Sequence, residues 1–373
     1  MPRPKLIIAS SETSADLLYA TGFRAPDPFV FLQDGEKKLL LLSDLEIDRG
    51  RREAKGGRAD SFSEAEKKNQ GGKKKKPEYA RVVAGWLRAN KARSVVVPAD
   101  FPLGLARLLK KEGVRLKPAK GSFFPEREIK SRAEIRAIEA AIGIAEAGMS
   151  RAMEILKSAV PRKDGRLVLG RRALTSELLR AEIEAAIVRA GGEARGDTIV
   201  AGGDQACDPH GRGSGPLRAR ELIILDIFPR DARSGYFGDI TRTVVRGKAT
   251  ESQRRLWETC LAGQDMALEK MKPGNQGGVV HESIKAYFAE QGYPTEIRDG
   301  RWHGFFHGTG HGLGLEVHEA PRFAAATFLP GHVITVEPGI YIPGTGGVRH
   351  EDVALVTRRG PKLLTKAPKP LEI

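Results

Sequence analysis

Acidic residues embedded in apolar, strand-like segments are the feature that most constrains how this chain can fold. Asp226, Asp239, Glu337 and Glu351 each interrupt such a segment, and His311 adds one imidazole. The five segments are I-L-D-I-F, G-D-I-T-R-T, T-V-E-P-G-I-Y, V-R-H-E-D and G-H-G-L-G-L. A buried charge without a partner is neutralised or destabilises the fold. Four carboxylates and one imidazole therefore predict a cage for two divalent cations.

The two aspartates lie in segments that we expect to pair as a β-hairpin. The residues between them, P-R-D-A-R-S-G, are typical of a turn. The midpoint between Asp226 and Asp239 falls inside this turn, so the two side chains should lie directly opposite, with Cβ atoms roughly 5 Å apart. Two buried carboxylates at about 4 Å repel by about 4 kcal/mol at an effective dielectric of 20. A cation would remove that penalty, and the alternative is an acid pair that shares a proton.

Glu337 and Glu351 repeat the pattern in two further apolar strands. Successive side chains of a strand point to opposite faces. Arg349 should therefore share a face with Glu351 and point into the site, while His350 and Asp352 should point away from it.

Three histidines, His307, His311 and His318, stand within twelve residues. A single histidine on an apolar face is more often a core residue, but this cluster favours a functional site. We expect the glycines around His311 to leave room for close approach by metal or substrate. Two metals roughly 3.5–4 Å apart can hold and acidify a bridging water. Oxygen ligands with one imidazole suit Mn²⁺ first and Co²⁺ or Zn²⁺ next.

The length of 373 residues exceeds what one hydrophobic core usually serves, so we expect two domains. The pattern of helices and strands predicted for residues 1–122 is typical of a small α/β domain. Residues 123–373 begin with a helix predicted over residues 131–157, for which Ser131 and Glu134 form a capping box. Helices then alternate with glycine-rich strands. The predicted fold class is α/β, of the α+β type.

The net charge of +15 arises from 62 Lys and Arg against 47 Asp and Glu. Nearly half of the excess lies between Arg49 and Lys76, a stretch that we expect to be a mobile surface loop. Contact with nucleic acid is the alternative, but aromatic residues for base stacking are sparse there. Apolar runs are too short for a signal peptide or a membrane span. Two cysteines, Cys207 and Cys260, predict no disulfide framework. Together these observations lead us to expect a cytoplasmic protein with no membrane or nucleic-acid partner.

The motifs resemble those of the pita-bread metallopeptidases, which include prolidase, aminopeptidase P and methionine aminopeptidase. The matching segments are G-D-I-T-R-T, H-G-T-G-H-G-L-G-L-E-V-H-E-A-P, I-T-V-E-P-G-I-Y and G-G-V-R-H-E-D-V. The match spans about residues 126–360 and implies a C-terminal pita-bread catalytic domain. The N-terminal domain resembles the creatinase-like accessory domain of the prolidase and aminopeptidase P branch, which methionine aminopeptidases lack.

The resemblance implies a role for each ligand. Asp226 would hold one metal, Asp239 and Glu351 would bridge the two, and His311 and Glu337 would hold the other. The implied reaction is hydrolysis of the N-terminal Xaa-Pro bond of dipeptides or longer peptides by a hydroxide that bridges the metals. Glu337 would take and return the proton.

Other residues would serve the peptide substrate. The segment D-P-H-G resembles a family stretch that makes His210 the substrate-facing histidine. His318 resembles the histidine that contacts the scissile carbonyl oxygen. His307 and Arg349 match residues that line the prolidase and aminopeptidase P site, where Arg349 would aid the C-terminal side of the substrate or the gem-diolate. We also expect a homodimer.

The chain departs from the family pattern near its substrate side. Asp226 and Asp239 are 13 residues apart, about two more than is usual, and His350 stands where the family residue is apolar. Cys207 lies near His210. These departures bear on substrate choice more than on metal binding. The alternatives are a metal-free, creatinase-like C–N hydrolase, a non-catalytic binding protein on the same scaffold, and a metallopeptidase without a preference for proline.

Overall fold

The computed structural model describes residues 3–70 and 76–373. The chain divides into two compact units, Met1–Pro125 and Glu126–Ile373. Residues 71–75, which belong to the predicted basic loop, lie outside the described residues. Within the described ranges, every helix is too short or too polar to span a bilayer.

One mixed sheet forms the core of the first unit. Its strands are β1 (Lys5–Ala9), β2 (Phe29–Asp34), β3 (Lys37–Leu42), β4 (Gly57–Ser61), β5 (Ser94–Val97) and β6 (Arg115–Pro118). The helices are α1 (Ala15–Thr21), α2 (Ile47–Glu53), α3 (Phe62–Gln70), α4 (Tyr79–Ala89) and α5 (Leu103–Lys111). In the described residues the strand order is β4-β3-β2-β1-β5-β6. The pairs β1–β2 and β2–β3 are antiparallel and the others are parallel.

The prediction of a mobile loop between Arg49 and Lys76 is wrong for the described part of that stretch. It contains most of α2, all of β4 and all of α3. Ala65 is buried, and Gly50 packs so closely that a Cβ atom there would lie 2.1 Å from the Leu42 side chain. Apolar and small positions between the basic residues therefore fix these helices to the core, and most of the charges remain on the outer face.

Two larger antiparallel sheets and two pairs of helices form the second unit, all of which is described. The helices are α6 (Arg132–Ser158), α7 (Ser176–Arg189), α8 (Glu251–Lys270) and α9 (Gly277–Glu290). The strands are β7 (Val160–Pro161), β8 (Leu167–Leu169), β9 (Arg172–Ala173), β10 (Gly192–Glu193), β11 (Ile199–Gly202), β12 (Leu222–Ile227), β13 (Arg230–Asp231), β14 (Ile240–Val245), β15 (Glu296–Arg298), β16 (Arg301–His303), β17 (His311–Gly312), β18 (Glu319–Arg322), β19 (Val333–Val336), β20 (Gly339–Ile342), β21 (Gly346–Arg349), β22 (Asp352–Thr357) and β23 (Gly360–Leu363). The larger sheets have the orders β11-β12-β14 and β18-β17-β19-β22-β23, and β20 pairs with β21.

A pair of helices packs against each sheet. Helices α6 and α7 cover the three-stranded sheet, where Ile183 meets Ile223 in one buried cluster. Helices α8 and α9 cover the five-stranded sheet, where Ile284 and Ile334 share another. Helix α6 begins with the predicted capping box, in which Ser131 and the N3 glutamate exchange hydrogen bonds. The predicted α+β class is confirmed.

The predicted register between the two aspartate strands is wrong by two residues. Asp226 pairs with Thr241, and Asp239 directly precedes β14. The turn falls later than predicted because the Asp231 carboxylate accepts hydrogen bonds from the backbone N–H groups two and three residues farther on. A shift of two residues keeps each side chain on the same face. Asp239 is therefore a diagonal neighbour of Asp226 on that face.

Candidate metal centre

The five predicted ligands come from both larger sheets. Asp226 lies in β12, Asp239 precedes β14, His311 begins β17, Glu337 follows β19, and Glu351 stands between β21 and β22. One ligand atom from each of Asp239, His311 and Glu351 lies within 4.8 Å of the other two, and all three residues are buried. Glu337 adjoins this group, with its Oε1 atom 3.2 Å from His311 Nε2. The structure thus brings four of the five together, and Asp226 approaches from the neighbouring strand.

The imidazole of His311 presents its Nε2 atom to the carboxylates. Its Nδ1 atom lies 3.2 Å from the Gly312 carbonyl oxygen, to which a protonated Nδ1 donates. Nε2 lies 3.9 Å from Asp239 Oδ2, in addition to its contact with Glu337. With the proton on Nδ1, the Nε2 lone pair faces carboxylate oxygens, and a shared cation stabilises that arrangement.

Arg349 neutralises Asp226 from one side only. Its Nη2 atom lies 2.7 Å from Asp226 Oδ2, whereas Oδ1 is buried without a hydrogen-bond partner in the described residues. Nη1 donates to the Tyr341 hydroxyl at 2.9 Å and to the Pro209 carbonyl oxygen at 3.2 Å. One oxygen of Asp226 is therefore held in place while the other remains available to a cation.

The side chains of residues 349–352 point alternately to two opposite faces, as predicted for a strand. Arg349 and Glu351 face the ligands. His350 points away and packs edge-on against an indole ring of α8, with ring centroids 4.7 Å apart. Asp352 pairs with Arg242 at 2.8 Å in a buried ion pair. His350 and Asp352 therefore pack on the face opposite the predicted ligands and hold this segment in place.

Burial and mutual repulsion oppose ionisation of most of the carboxyl groups. Burial, together with the charge of Asp226, raises the pKa of Asp239 well above its usual value. Burial and the charge of Asp239 do the same to the pKa of Glu351. Burial also raises the pKa of Asp226. Without a cation, burial is outweighed at Glu337 by the hydrogen bond and the charge of a protonated His311, which lower the pKa of Glu337 to about 2.

These residues fit divalent metal ions. Asp226 Oδ1 is buried without a hydrogen-bond partner among the described residues, and His311 Nε2 faces two carboxylates, so a cation would stabilise both groups. Oxygen donors with a single imidazole form the ligand set of a fairly hard divalent ion.

Three further histidines lie near this cluster. His307 Nε2 lies 2.8 Å from the Tyr341 hydroxyl, and burial lowers the pKa of His307 to about 4. The ring of His318 stands edge-on to His311, with centroids 4.2 Å apart, and burial with the charge of His311 lowers the pKa of His318 to about 4. Both imidazoles are therefore neutral at pH 7. His210 is exposed and acts electrostatically on both of them.

The glycines around His311 serve backbone packing, which corrects the prediction that they leave room for metal or substrate. A Cβ atom at Gly310 would lie 1.9 Å from the Thr335 carbonyl oxygen, and one at Gly312 would lie 2.6 Å from another backbone oxygen. Gly308 differs, because the nearest atoms to its Cβ position are 4.0 Å away. Open space is thus confined to the first glycine of the segment.

Sequence reasoning missed hydroxyl groups that hold the site together. Thr241 Oγ1 donates to Glu351 Oε2 at 2.8 Å. Tyr341 joins His307 to Arg349 through one hydroxyl. Thr241 stands two residues after an aspartate ligand, so strand periodicity could have found it. Tyr341 lies in the same motif as a glutamate ligand, but its position in space depends on the β20–β21 pairing.

His281 also supports the site, although sequence reasoning gave it no role. It lies in α9, and its Nδ1 atom is 2.8 Å from Thr309 Oγ1. The Thr309 carbonyl oxygen accepts a hydrogen bond from the Glu337 N–H at 2.8 Å. The helix therefore braces the loop between His307 and His311.

Comparisons with known proteins identify the family of this chain. The sequence model that describes metallopeptidase family M24 matches residues 136–358 of this chain. The Xaa-Pro dipeptidase of Pyrococcus horikoshii is 33% identical over 305 residues, which cover 80% of this chain and 78% of the relative. An uncharacterized peptidase of Bacillus subtilis, YqhT, is 34% identical over 264 residues, or 69% and 68% of the two chains.

Solved structures share the whole fold. The prolidase from Pyrococcus horikoshii OT3 superposes with a TM-score of 0.79 at 30% identity, over 99% of this chain and 95% of that one. The Xaa-Pro dipeptidase from Bacillus anthracis superposes with a TM-score of 0.82 at 25% identity, over 99% and 95%. The chain is therefore a metallopeptidase with the pita-bread fold and belongs to metallopeptidase family M24, in the branch of prolidase and aminopeptidase P.

Proposed function

We propose that the protein hydrolyses the N-terminal Xaa-Pro bond of dipeptides or longer peptides with the help of two divalent metal ions. The observation that carries the proposal is the buried convergence of Asp239, His311 and Glu351, with Glu337 and Asp226 beside them. The Xaa-Pro dipeptidase of Pyrococcus horikoshii, at 33% identity, supports the substrate class.

The five ligands would divide between two ions. Asp226 would hold one ion, His311 and Glu337 the other, and Asp239 and Glu351 would contact both. When bound, the ions supply an activated water and polarise the scissile carbonyl group. Mn²⁺ is the first candidate, with Co²⁺ or Zn²⁺ next, because oxygen donors predominate.

Glu337 moves the proton in this proposal. As a buried carboxylate beside the proposed ions, it would be ionised at neutral pH. It takes a proton from the attacking water and returns it to the leaving nitrogen of proline.

The surrounding residues orient the peptide. His318, neutral at pH 7, donates a hydrogen bond to the carbonyl oxygen as negative charge develops there. His210 and His307 hold the substrate on either side. Arg349 keeps Asp226 and Tyr341 in position, since its guanidinium contacts both.

The variant Glu337→Gln tests the proton transfer. Glutamine keeps the shape and one oxygen of the side chain but cannot take a proton. We expect the turnover of Xaa-Pro dipeptides to fall by about 100-fold or more when both proteins are assayed at saturating Mn²⁺, while circular dichroism remains as in the wild type. Glu316→Gln, at an exposed carboxylate, is the control. Wild-type turnover by metal-loaded Glu337→Gln would overturn the assignment.

A substrate panel tests the bond specificity. Xaa-Pro dipeptides, longer Xaa-Pro peptides and matched Xaa-Ala peptides would be assayed with Mn²⁺. We expect cleavage of the Xaa-Pro members, and their lengths would separate a dipeptidase from an aminopeptidase. Equal cleavage of Xaa-Ala and Xaa-Pro peptides would contradict the proposed preference for proline.

The alternatives from the sequence are not favoured. A metal-free, creatinase-like hydrolase would not need the ligand set, and a non-catalytic binding protein on this scaffold typically loses ligands. All five are present here, and Asp239, His311 and Glu351 lie within 4.8 Å of one another.

Other features stay predictions. They are the accessory role of the N-terminal domain over residues 1–122, the catalytic role of residues 123–373, the homodimer and the cytoplasmic location. Size-exclusion chromatography with light scattering would test the homodimer directly.

A further inference from the structure

An open recess of about 490 Å³ lies in the second unit. Residues 207–209 form one part of its wall, and Trp302 of the β15–β16 hairpin together with Phe306 forms another. Asp204 and Arg301 also line the recess and form an ion pair at 2.8 Å. We call this space the Trp302 recess.

The hairpin wall is fixed to the core of the site. Gly304, just after the hairpin, exchanges two backbone hydrogen bonds with Tyr341, at 3.0 and 3.1 Å. The ring of Phe306 lies 5.2 Å from the ring of Tyr341 and 5.9 Å from that of Trp302, centroid to centroid. The Trp302 recess is therefore built on the same tyrosine that Arg349 contacts.

Both walls continue directly into residues of the proposed site. Pro209 precedes His210, and its carbonyl oxygen accepts a hydrogen bond from Arg349 at 3.2 Å. Phe306 precedes His307. Because each histidine directly follows a lining residue, a peptide held between the two histidines would lie beside the Trp302 recess.

The lining favours an uncharged, apolar group. Trp302 leaves 51% of its surface exposed, so a large aromatic face is available. Burial raises the pKa of the Cys207 thiol to about 12, which keeps it neutral at pH 7. The charges of Asp204 and Arg301 offset each other in their ion pair. The carboxylate of Asp208, which accepts a hydrogen bond from the His210 N–H at 3.2 Å, leaves one negative charge in the lining, which disfavours an acidic side chain. Aromatic walls with few polar groups are typical of pockets for apolar ligands.

We propose that the Trp302 recess binds a large apolar or aromatic side chain of the peptide substrate and that Trp302 sets the preference for it. This inference rests on the proposed peptidase function. The preference would be for the side chain at one position of the peptide, namely the position nearest Pro209 and Phe306, which line the recess and adjoin His210 and His307.

The test compares Trp302→Ala, Trp302→Phe and a matched control with the wild type. Val279→Ala is the control, because Val279 is 67% exposed in α9 and does not line the recess. The Mn²⁺-loaded enzymes would be assayed on Ala-Pro, Leu-Pro and Phe-Pro, and on Ala-Pro-Ala and Ala-Pro-Phe. We expect Trp302→Ala to lower kcat/KM about tenfold or more for the large side chains of one series. The kcat/KM for peptides with alanine at that position should change less than about twofold, and Trp302→Phe and Val279→Ala should stay close to the wild type.

The outcomes separate the two proposals. A uniform change for small and large side chains, or no change in Trp302→Ala, would overturn the role of the recess and leave the peptidase function standing. A wild-type enzyme that cleaves no member of either series would overturn the proposed function and the recess with it. Thermal unfolding of each variant distinguishes a folding defect from a loss of preference.

Discussion

The guanidinium of Arg349 holds the carboxylate of Asp226, with 2.7 Å between Nη2 and Oδ2. Its other terminal nitrogen lies 2.9 Å from the Tyr341 hydroxyl, which in turn lies 2.8 Å from His307. A planar guanidinium can make both contacts at once, whereas an ammonium group offers one point charge. The arginine thus fixes the position of Asp226, the proposed metal ligand, relative to the Tyr341 hydroxyl.

Replacing this arginine by lysine should therefore impair turnover. We expect Arg349→Lys to lower kcat by about 100-fold, because a displacement of about 1 Å at a reacting centre can cost that much. Bound metal should also fall, since Asp226 loses its fixed orientation. Steady-state kinetics and metal analysis measure both, with Arg298→Lys on the exposed hairpin as the control. Unchanged kcat and metal content in Arg349→Lys would refute the positioning role.

Removing the metal should inactivate the enzyme and destabilise its fold. Without cations, the buried carboxylates of Asp239 and Glu351 repel each other. Returning Mn²⁺ at about 100 times its Kd should raise the free energy of unfolding by about 2.7 kcal/mol per site. Metal analysis should find two ions per chain, and fewer in Asp239→Asn. Full activity after exhaustive chelation would count against a metal-dependent reaction.

Two glycines in one loop should respond differently to alanine. A Cβ atom at Gly310 would lie 1.9 Å from the Thr335 carbonyl oxygen, whereas at Gly308 the nearest atoms are 4.0 Å away. Gly310→Ala should lower the free energy of unfolding by about 2–3 kcal/mol, since backbone atoms must move apart. Gly308→Ala is the matched control and should change it by less than about 0.5 kcal/mol. Denaturant unfolding measures both, and similar values would contradict the packing role.

His332 should make the fold sensitive to acid. The Leu329 N–H donates to its Nδ1 atom at 3.3 Å, and Nε2 has no partner within the described part of the chain. Burial, with the charge of Lys130, lowers the pKa of His332 to about 4, below the value of about 6.5 in an unfolded chain. Between these values the unfolded chain binds a proton that the folded state does not. Stability therefore falls as the pH drops from 6.5 towards 4.

The variant His332→Asn isolates this contribution, because asparagine keeps an acceptor for the Leu329 N–H and does not titrate. Between pH 7 and pH 4, the metal-free wild type should lose about 1–2 kcal/mol more of its free energy of unfolding than the variant. Urea unfolding at several pH values measures the difference, with His303→Asn as a control. Parallel losses in wild type and His332→Asn would exclude His332 as the source.

Much of the site follows from local patterns in the sequence. The acids in apolar strands, the capping box of α6 and the opposite faces of Arg349 and His350 depend on periodicity and on neighbours in the chain. These features depend on residues that lie close together in the chain, so they can be predicted from a single sequence.

The remainder depends on contacts that periodicity does not reveal. The observed register of β12 with β14 differs from the predicted register by two residues, because the Asp231 side chain closes the turn. Helix α3 forms in a basic stretch because Ala65 is buried against the core. Tyr341 reaches Arg349 only through the pairing of β20 with β21. Each of these depends on tertiary packing, which outweighs local composition.

The alternation along residues 349–352 also limits how this segment can change in length. A substitution there alters one contact, but a deletion of one residue before Arg349 would turn Glu351 towards Arg242 and bring His350 to the ligands. The catalytic face and the supporting face would exchange places as a whole. Insertions and deletions among relatives of this protein should therefore fall in turns such as residues 343–345, and β21 and β22 should keep a constant number of residues.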